Sequence, residues 1–469
     1  MQNKITLGLI IGTRDMFPAD PVLQARNELL PLLETLNIEI VTLKEDDTRF
    51  GAVETWEDAK KCAALFQKNR DKIDGILVML PVFAPEAAIA DSIRLAELHV
   101  PVMVQAYPDP IDQLSVEMRR DAFCGKFSLT NNLYQYGIPF TLTRDHTISP
   151  TKQAFSDELA QFISVCRVVK GVKNLRMGAI GARPGIFNTV RYSEKLLESA
   201  GISVKTVDLS EIFGGAQKLH DLDNRVQAKL AAIHDYVTTI NFPVEPLMKM
   251  AKLGVVVDDW VAENEVKVVS FQCWTAIQQY YGINACALMS MMSENLLPTA
   301  CEVDMTGALG MYILQQASGK PSALVDWNNN YGDDPDKCIL FHCGNWAKSF
   351  FKDIKMSYGE ILATTLGENN TIGTISGQAK ASPVTVLRLS TDDWNGRIRS
   401  YVTEGQLTAD PLDTFGSRAV LAVDDLQSLL YFVAKNGFEH HASMNPAHVA
   451  DAIEEAFTTY LDWDLYRHE

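Results

Sequence analysis

From Ile5 to Val104 the chain alternates short apolar runs with longer stretches of helical periodicity. The runs are Ile5–Ile11, Ile38–Leu43, Gly75–Leu80 and Val100–Val104. The stretches between them are Pro21–Leu36, Thr55–Arg70 and Pro85–Leu98. An apolar run with no polar alternation has both faces buried, and strands of that kind joined by helices form a parallel, doubly wound sheet. Loops that carry function then lie at the C-terminal strand ends, here Gly12–Pro18, Pro81–Pro85 and Gln105–Pro110.

A second α/β pattern begins near residue 160. Arg176–Ile180 reads as a strand, followed by GARPG and a helix from about Asn188 to Ala200. Ile202–Leu209, Asp223–Val237 and Lys267–Phe271 continue as strand, helix and strand. A helix over Asp304–Ala317 stops at Gly319, and Ala323–Asp326 reads as a short strand. After about residue 355 the texture changes. VTVLRLSTDD, Asn395-Gly396 and RIRSYVTEG predict a β-hairpin with a type I′ turn. With Thr371–Ile375 and Arg418–Val423 this suggests an antiparallel sheet or small barrel, closed by a helix over Pro446–Leu461. The expected fold is α/β: two doubly wound parallel-sheet domains, 1–160 and 161–350, then a smaller antiparallel β-rich, barrel-like domain, 351–469.

Charge and cysteine usage narrow the function classes. The formal net charge is −17, which argues against nucleic acid or an anionic membrane as partner. No run reaches the length of a membrane span, and no signal-peptide pattern is read at the N-terminus. The eight Cys are scattered without a C-x-x-C, the usage of reduced thiols in a cytoplasmic protein.

Residues 301–345 carry the densest chemistry. Glu302, Asp326 and His342 each adjoin an apolar run, and carboxylate, carboxylate and imidazole together suit an oxygen-loving divalent metal. Each alone also has a structural reading: Glu302 near a helix start suits the helix dipole, Asp326 could cap a turn, and His342 could be a satisfied core residue. Neighbouring parallel strands lie about 4.8 Å apart, so groups at adjacent strand ends could share an ion. A fourth ligand is sought in EHHASMNPAH, from the adjacent His440 and His441. Arg14 in GTRDMFP, Lys126 in DAFCGKFS, Arg183 in GARPG, and Asn188 with Arg191 just after it could each contact an anionic group or merely rigidify a loop.

Together these segments resemble the L-fucose isomerase and L-arabinose isomerase superfamily, in its shorter fucose-isomerase-like branch. The resemblance is carried by GTRDMFP at 12–18, DAFCGKFS at 121–128, IGARPGIFNTVRY at 180–192, VVSFQCW at 268–274, LLPTACEVD at 296–304, LVDW at 324–327, FHCGN at 341–345 and EHHASMNPAHVADAIEEAF at 439–457. It implies a metal-dependent aldose–ketose isomerase using Mn²⁺, or another divalent ion such as Co²⁺ or Mg²⁺. It implies a homo-oligomer, trimer or hexamer, with sites formed between subunits. Glu302 and Asp326 become ligands and the proton-transfer pair, and His441 a further ligand. Trp274, His342 and His440 join Arg14, Lys126, Arg183, Asn188 and Arg191 as substrate-binding candidates.

The expected reaction moves hydrogen between C1 and C2 of a free sugar through an enediol, with a metal polarising the carbonyl and two carboxylates transferring protons. Deoxyhexoses, pentoses and anionic sugars such as sulfoquinovose all fit. A non-catalytic sugar-binding or regulatory protein and a divalent-metal aldolase are the alternatives.

Overall fold

The protein is described from a computed structural model covering residues 4–17 and 19–469. Pro18 of the GTRDMFP motif and the first three residues of the N-terminal reading lie outside the described residues. The chain forms two compact units: Met1–Lys170 with Asp451–Asp462, and Gly171–Ala450 with Trp463–Glu469.

The first unit is the doubly wound sheet that the apolar runs predict. Five parallel strands lie in the order Glu39–Val41, Thr6–Ile11, Gly75–Leu80, Val102–Ala106 and Thr141–Leu142. Successive side chains of Gly75–Leu80 point to opposite faces, which is why every residue of it is buried. Ile76 and Val78 join one core with Phe66 and Ile89 of the flanking helices, while Leu77 and Met79 join a second core with Leu29 and Phe162. Thr55 starts the helix Trp56–Lys68 with a capping box closed by Asp58. The late segment Asp451–Asp462 belongs here too: Tyr460 and Glu455 bond to Val102 and Thr141.

The second unit contains two sheets. A parallel sheet runs in the order Ser203–Val207, Arg176–Ile180, Val268–Phe271, Thr299–Cys301. A nine-stranded, mostly antiparallel sheet closes on itself. Lys337–His342, Ala323–Asn330, His441–Asn445, Ser382–Asp392, Arg397–Thr408 and Ser417–Ala422 pair in turn, all antiparallel, and the last strand returns to the first. Closure removes the unpaired edges of those six strands. The helix Met305–Ser318 packs against strands of both sheets and is buried almost all round. It ends at Gly319, whose φ of 71° is left-handed.

Three local expectations are corrected. The segment after GARPG is a short 3₁₀ turn, Asn188–Val190, followed by a short helix, Glu194–Ser199. Asn395-Gly396 is not a two-residue type I′ turn: Asp392 pairs with Arg397, leaving Asp393–Gly396 as the loop. The Asp392 carboxylate accepts from the Trp394 and Asn395 amides and the Asn395 side chain, and that local turn wins over the tighter one. Asp326 is not at a strand end; it lies inside Ala323–Asn330, a barrel strand with antiparallel neighbours. An apolar run as short as ALVD is the same whether its neighbours are parallel or antiparallel.

Candidate active site and metal centre

Glu302 is presented by a tight turn. The Asp304 amide donates to the Cys301 carbonyl at 3.0 Å, and the two central residues, Glu302 and Val303, both have φ of 56°. That is the φ signature of a type I′ turn, normally built with Asn and Gly. A β-branched Val in this region is a strained outlier. The helix Met305–Ser318 anchors the turn, because Asp304 caps it by accepting the Gly307 amide at 2.8 Å. Gly307 must be glycine, because a Cβ would sit 2.5 Å from the Asp304 carboxylate.

The barrel supplies the other groups. The register sets Asp326 directly opposite His441 on one side and Phe341 on the other, so His342 lies one residue diagonal to it. His441 Nε2 is 3.3 Å from Asp326 Oδ1. His440 Nε2 is 3.7 Å from the same oxygen, but its side chain is half-exposed. His342 Nε2 is 3.5 Å from Glu302 Oε2, an ion-pair distance without hydrogen-bond geometry. Ligand atoms of Glu302, His342 and His441 all lie within 4.8 Å of one another, and so do those of Asp326, His440 and His441.

The tautomers follow from the partners. His441 Nδ1 is 2.9 Å from Asp304 Oδ2. Burial opposes the Asp304 charge, but Arg388 and His441 hold its pKa well below the usual carboxylate range. Asp304 is therefore an acceptor, and His441 Nδ1 carries the hydrogen between them. His441 Nε2 and Asp326 Oδ1 face each other across 3.3 Å. A cation seated in that gap would pair with both atoms.

His342 is wired in the opposite sense. Its Nδ1 accepts the Cys343 amide at 3.0 Å, so Nε2 carries the hydrogen of the neutral ring. Burial pushes its pKa down and the Glu302 carboxylate pulls it up, to about 9. The Cys343 amide opposes a second ring proton. In either form Nε2 bears a hydrogen, at ion-pair distance from Glu302 but outside hydrogen-bond geometry. Burial in turn raises the Glu302 pKa, but His342 and His441 bring it below its ordinary value.

Behind His441 stands a buried ionic network. Arg388, wholly buried, donates to Asp304 at 2.6 Å and 3.2 Å, to Thr306 at 2.9 Å and to Glu439 at 3.1 Å. Ser390 donates to the other Glu439 oxygen at 2.8 Å. A metal-binding imidazole characteristically donates its second nitrogen to such a carboxylate, which fixes its orientation. The residues present fit a divalent ion on independent grounds. Glu302 Oε2 and Asp326 Oδ1 are buried acceptors without hydrogen-bond partners, and carboxylate oxygens with an imidazole are ligands that Mn²⁺ accepts.

A model of the fucose/sulfoquinovose isomerase N-terminal domain matches residues 8–173, and one of the L-fucose isomerase C-terminal domain matches residues 340–469. The chain belongs to the fucose isomerase-like superfamily. It is an enzyme of the aldose–ketose isomerase class. Sulfoquinovose isomerase of Alkalicoccus urumqiensis is 23% identical over 384 residues, spanning 79% of this chain and 84% of that protein. Sulfoquinovose isomerase of Priestia aryabhattai is 24% identical over 389 residues, spanning 82% and 83%.

In this superfamily member the remaining sequence candidates fall into two groups. Arg14 and Lys126 belong to the first unit. Arg14 bonds to the Ala84 carbonyl at 3.2 Å and to Glu86 at 3.4 Å, with its guanidinium over the Phe83 ring. Lys126 is buried and donates to Thr143 at 2.6 Å and to the His146 carbonyl at 2.9 Å. The second unit holds Arg183, Asn188, Arg191 and Trp274. Arg183 donates to the Pro184 carbonyl at 3.1 Å, and Arg191 to the Asn188 carbonyl at 2.8 Å. Phe187 of the same loop meets Trp274 edge-on at 5.4 Å between centroids and stacks on His440 at 6.4 Å. Sequence reasoning missed Phe187, Asp304 as the His441 partner, and Arg388. The one available signal was Arg388 itself, a charge inside the apolar run VTVLRLS.

Among the described residues no helix is long and apolar enough to cross a membrane.

Proposed function

We propose that this enzyme is a divalent-metal-dependent isomerase of a sulfonated aldose, sulfoquinovose, working by proton transfer through an enediol. The observation that carries the reading is the 3.3 Å approach of His441 Nε2 to Asp326 Oδ1, a buried carboxylate oxygen without a hydrogen-bond partner. Glu302, Asp326 and His441 would hold the ion, with Mn²⁺ as the preferred metal. When bound, it supplies Lewis-acid polarisation of the sugar carbonyl.

The protein's own groups account for the rest. Glu302 and Asp326 form the proton-transfer pair: one takes the C2 proton and returns it at C1, and the other serves the oxygens. His342 lies at ion-pair distance from Glu302 and positions that carboxylate rather than binding the ion. The Asp304–Arg388–Glu439 network holds the His441 ring in the tautomer that leaves Nε2 free. Phe187 and Trp274 give the pocket an aromatic wall beside His440. Arg183 and Arg191 flank Phe187 in the chain and suit an anionic C6 group. Sulfoquinovose is favoured over neutral sugars because the curated relatives carry that name over about four-fifths of this chain. A homo-oligomer is part of the same reading, from the family resemblance.

The test is a screen of sulfoquinovose, fucose and arabinose with Mn²⁺ and product identification, run in deuterium oxide. Sulfoquinovose should be preferred and its product should carry solvent deuterium at C1. Glu302→Gln should abolish turnover and weaken Mn²⁺ binding. Full activity in that variant, or a product wholly free of deuterium, would overturn the mechanism.

A further inference from the structure

The mechanism leaves two buried thiols unused beside Glu302. Cys301 ends the strand Thr299–Cys301. Cys273 follows the neighbouring parallel strand Val268–Phe271 by two residues, and the register pairs Phe271 with Cys301. Topology therefore brings both sulfurs to one strand end. The two Sγ atoms and a Glu302 oxygen all lie within 4.8 Å of one another, and all three residues are buried. Cys273 donates to Glu302 Oε1 at 3.4 Å, the oxygen opposite the one that faces His342. The backbone of this corner is fixed, since Gln278 donates to the Cys273 carbonyl at 2.7 Å. A cavity of about 20 Å³ opens beside Cys273, lined also by Cys286, Cys343 and Asn284, room for one water.

We propose that Cys273, Cys301 and Glu302 form a second cation site, selective for thiophilic ions such as Zn²⁺ and Cd²⁺, which silences the isomerase centre when filled. Two sulfurs and one carboxylate, with a water in the fourth position, are a tetrahedral set for such ions. Hard ions such as Mn²⁺ and Mg²⁺ prefer oxygen and leave thiols protonated. On binding, each thiol gives its proton to solvent and its sulfur lone pair to the metal, and nothing is oxidised or reduced. Silencing follows from sharing: Glu302 serves both sites, and a cation on Oε1 draws the carboxylate away from the His441–Asp326 side. Only this silencing rests on the proposed function; the binding does not.

The experiment titrates chelator-stripped, full-length protein with Cd²⁺ in a Cys124→Ser background, because Cys124 is an exposed thiol. It reads the ultraviolet thiolate-to-cadmium band and the protons released. One equivalent should fill the band and release one proton per thiol. Cys273→Ala and Cys301→Ala should each weaken Cd²⁺ binding at least about tenfold. Each variant's fold is checked by circular dichroism, and the unsubstituted site needs no variant to be judged. No band at one equivalent, or a band unchanged in both variants, overturns the site. In Mn²⁺-loaded enzyme, sugar turnover should fall in step with the band. A band that fills while turnover stays constant overturns the silencing. Protein that turns over no sugar before cadmium is added fails the proposed function instead, and the band still decides the site.

Discussion

The two units each bury a cation, and they stabilise it in opposite ways. In the first unit Lys126 meets only neutral oxygens, from Thr143 and His146. Burial pulls its pKa down to about 8, with Glu158 opposing. In the second unit burial also works against Arg388, but Asp304 and Glu439 reverse it and raise its pKa. The Lys126 charge is held by those two neutral acceptors alone among its hydrogen bonds. Arg388 is the centre of a network in which each carboxylate depends on it, and one of those carboxylates sets the His441 tautomer. A buried charge with neutral partners reads as structure; one with charged partners touching a candidate ligand reads as support for chemistry.

Replacing each cation by methionine breaks the comparison most sharply. Arg388→Met strands two buried carboxylates and should cost about 3–5 kcal/mol in denaturant unfolding. Lys126→Met leaves two neutral acceptors and should cost about 1–2 kcal/mol. Equal losses would show that the two sites are energetically alike.

Asp304→Asn keeps the shape but removes the charge and leaves one accepting oxygen for the two that Gly307 and His441 use. Mn²⁺ affinity, read by calorimetry, should drop about 10–100-fold. An unchanged affinity would mean that Asp304 is only a helix cap.

The third difference is in pH dependence. The Lys126 pKa is depressed on folding, from its ordinary value of 10.5 to about 8. The unfolded chain then binds more protons between these values, so stability rises with pH across that window. The penalty is complete below about pH 8. Melting curves of the wild type should show this rise, and those of Lys126→Met should lack it.

The smallest effect concerns the turn that carries Glu302. At an ordinary buried position alanine is more stable than glycine. At position 303, where φ is 56°, Val303→Gly should be more stable than Val303→Ala by about 1 kcal/mol. The ordinary order would mean that the turn stores no strain.

Much of the first unit was legible because a strand buried on both faces has a simple signature. Gly75–Leu80 there, and Arg176–Ile180 in the second unit, fall where their apolar runs place them. The barrel was legible as β-rich, but its membership was not. Ala323–Asn330 and Lys337–His342 come before the change in texture near residue 355, yet they pair with His441–Asn445 and Ser417–Ala422. Pairing across some hundred residues depends on register, which local patterns do not encode.

The sequence by itself determined the residue types of the site: two carboxylates and one imidazole beside apolar runs, and a downstream His pair, in motifs that resemble one enzyme superfamily. Tertiary structure decided their roles. His342 and His441 are the same side chain at the ends of two strands of one barrel. One accepts the amide of its own neighbour, and the other donates to a carboxylate 137 positions away. Which ring nitrogen keeps its proton depends on the partner at the other nitrogen, and that partner is set by where the strands close into a barrel.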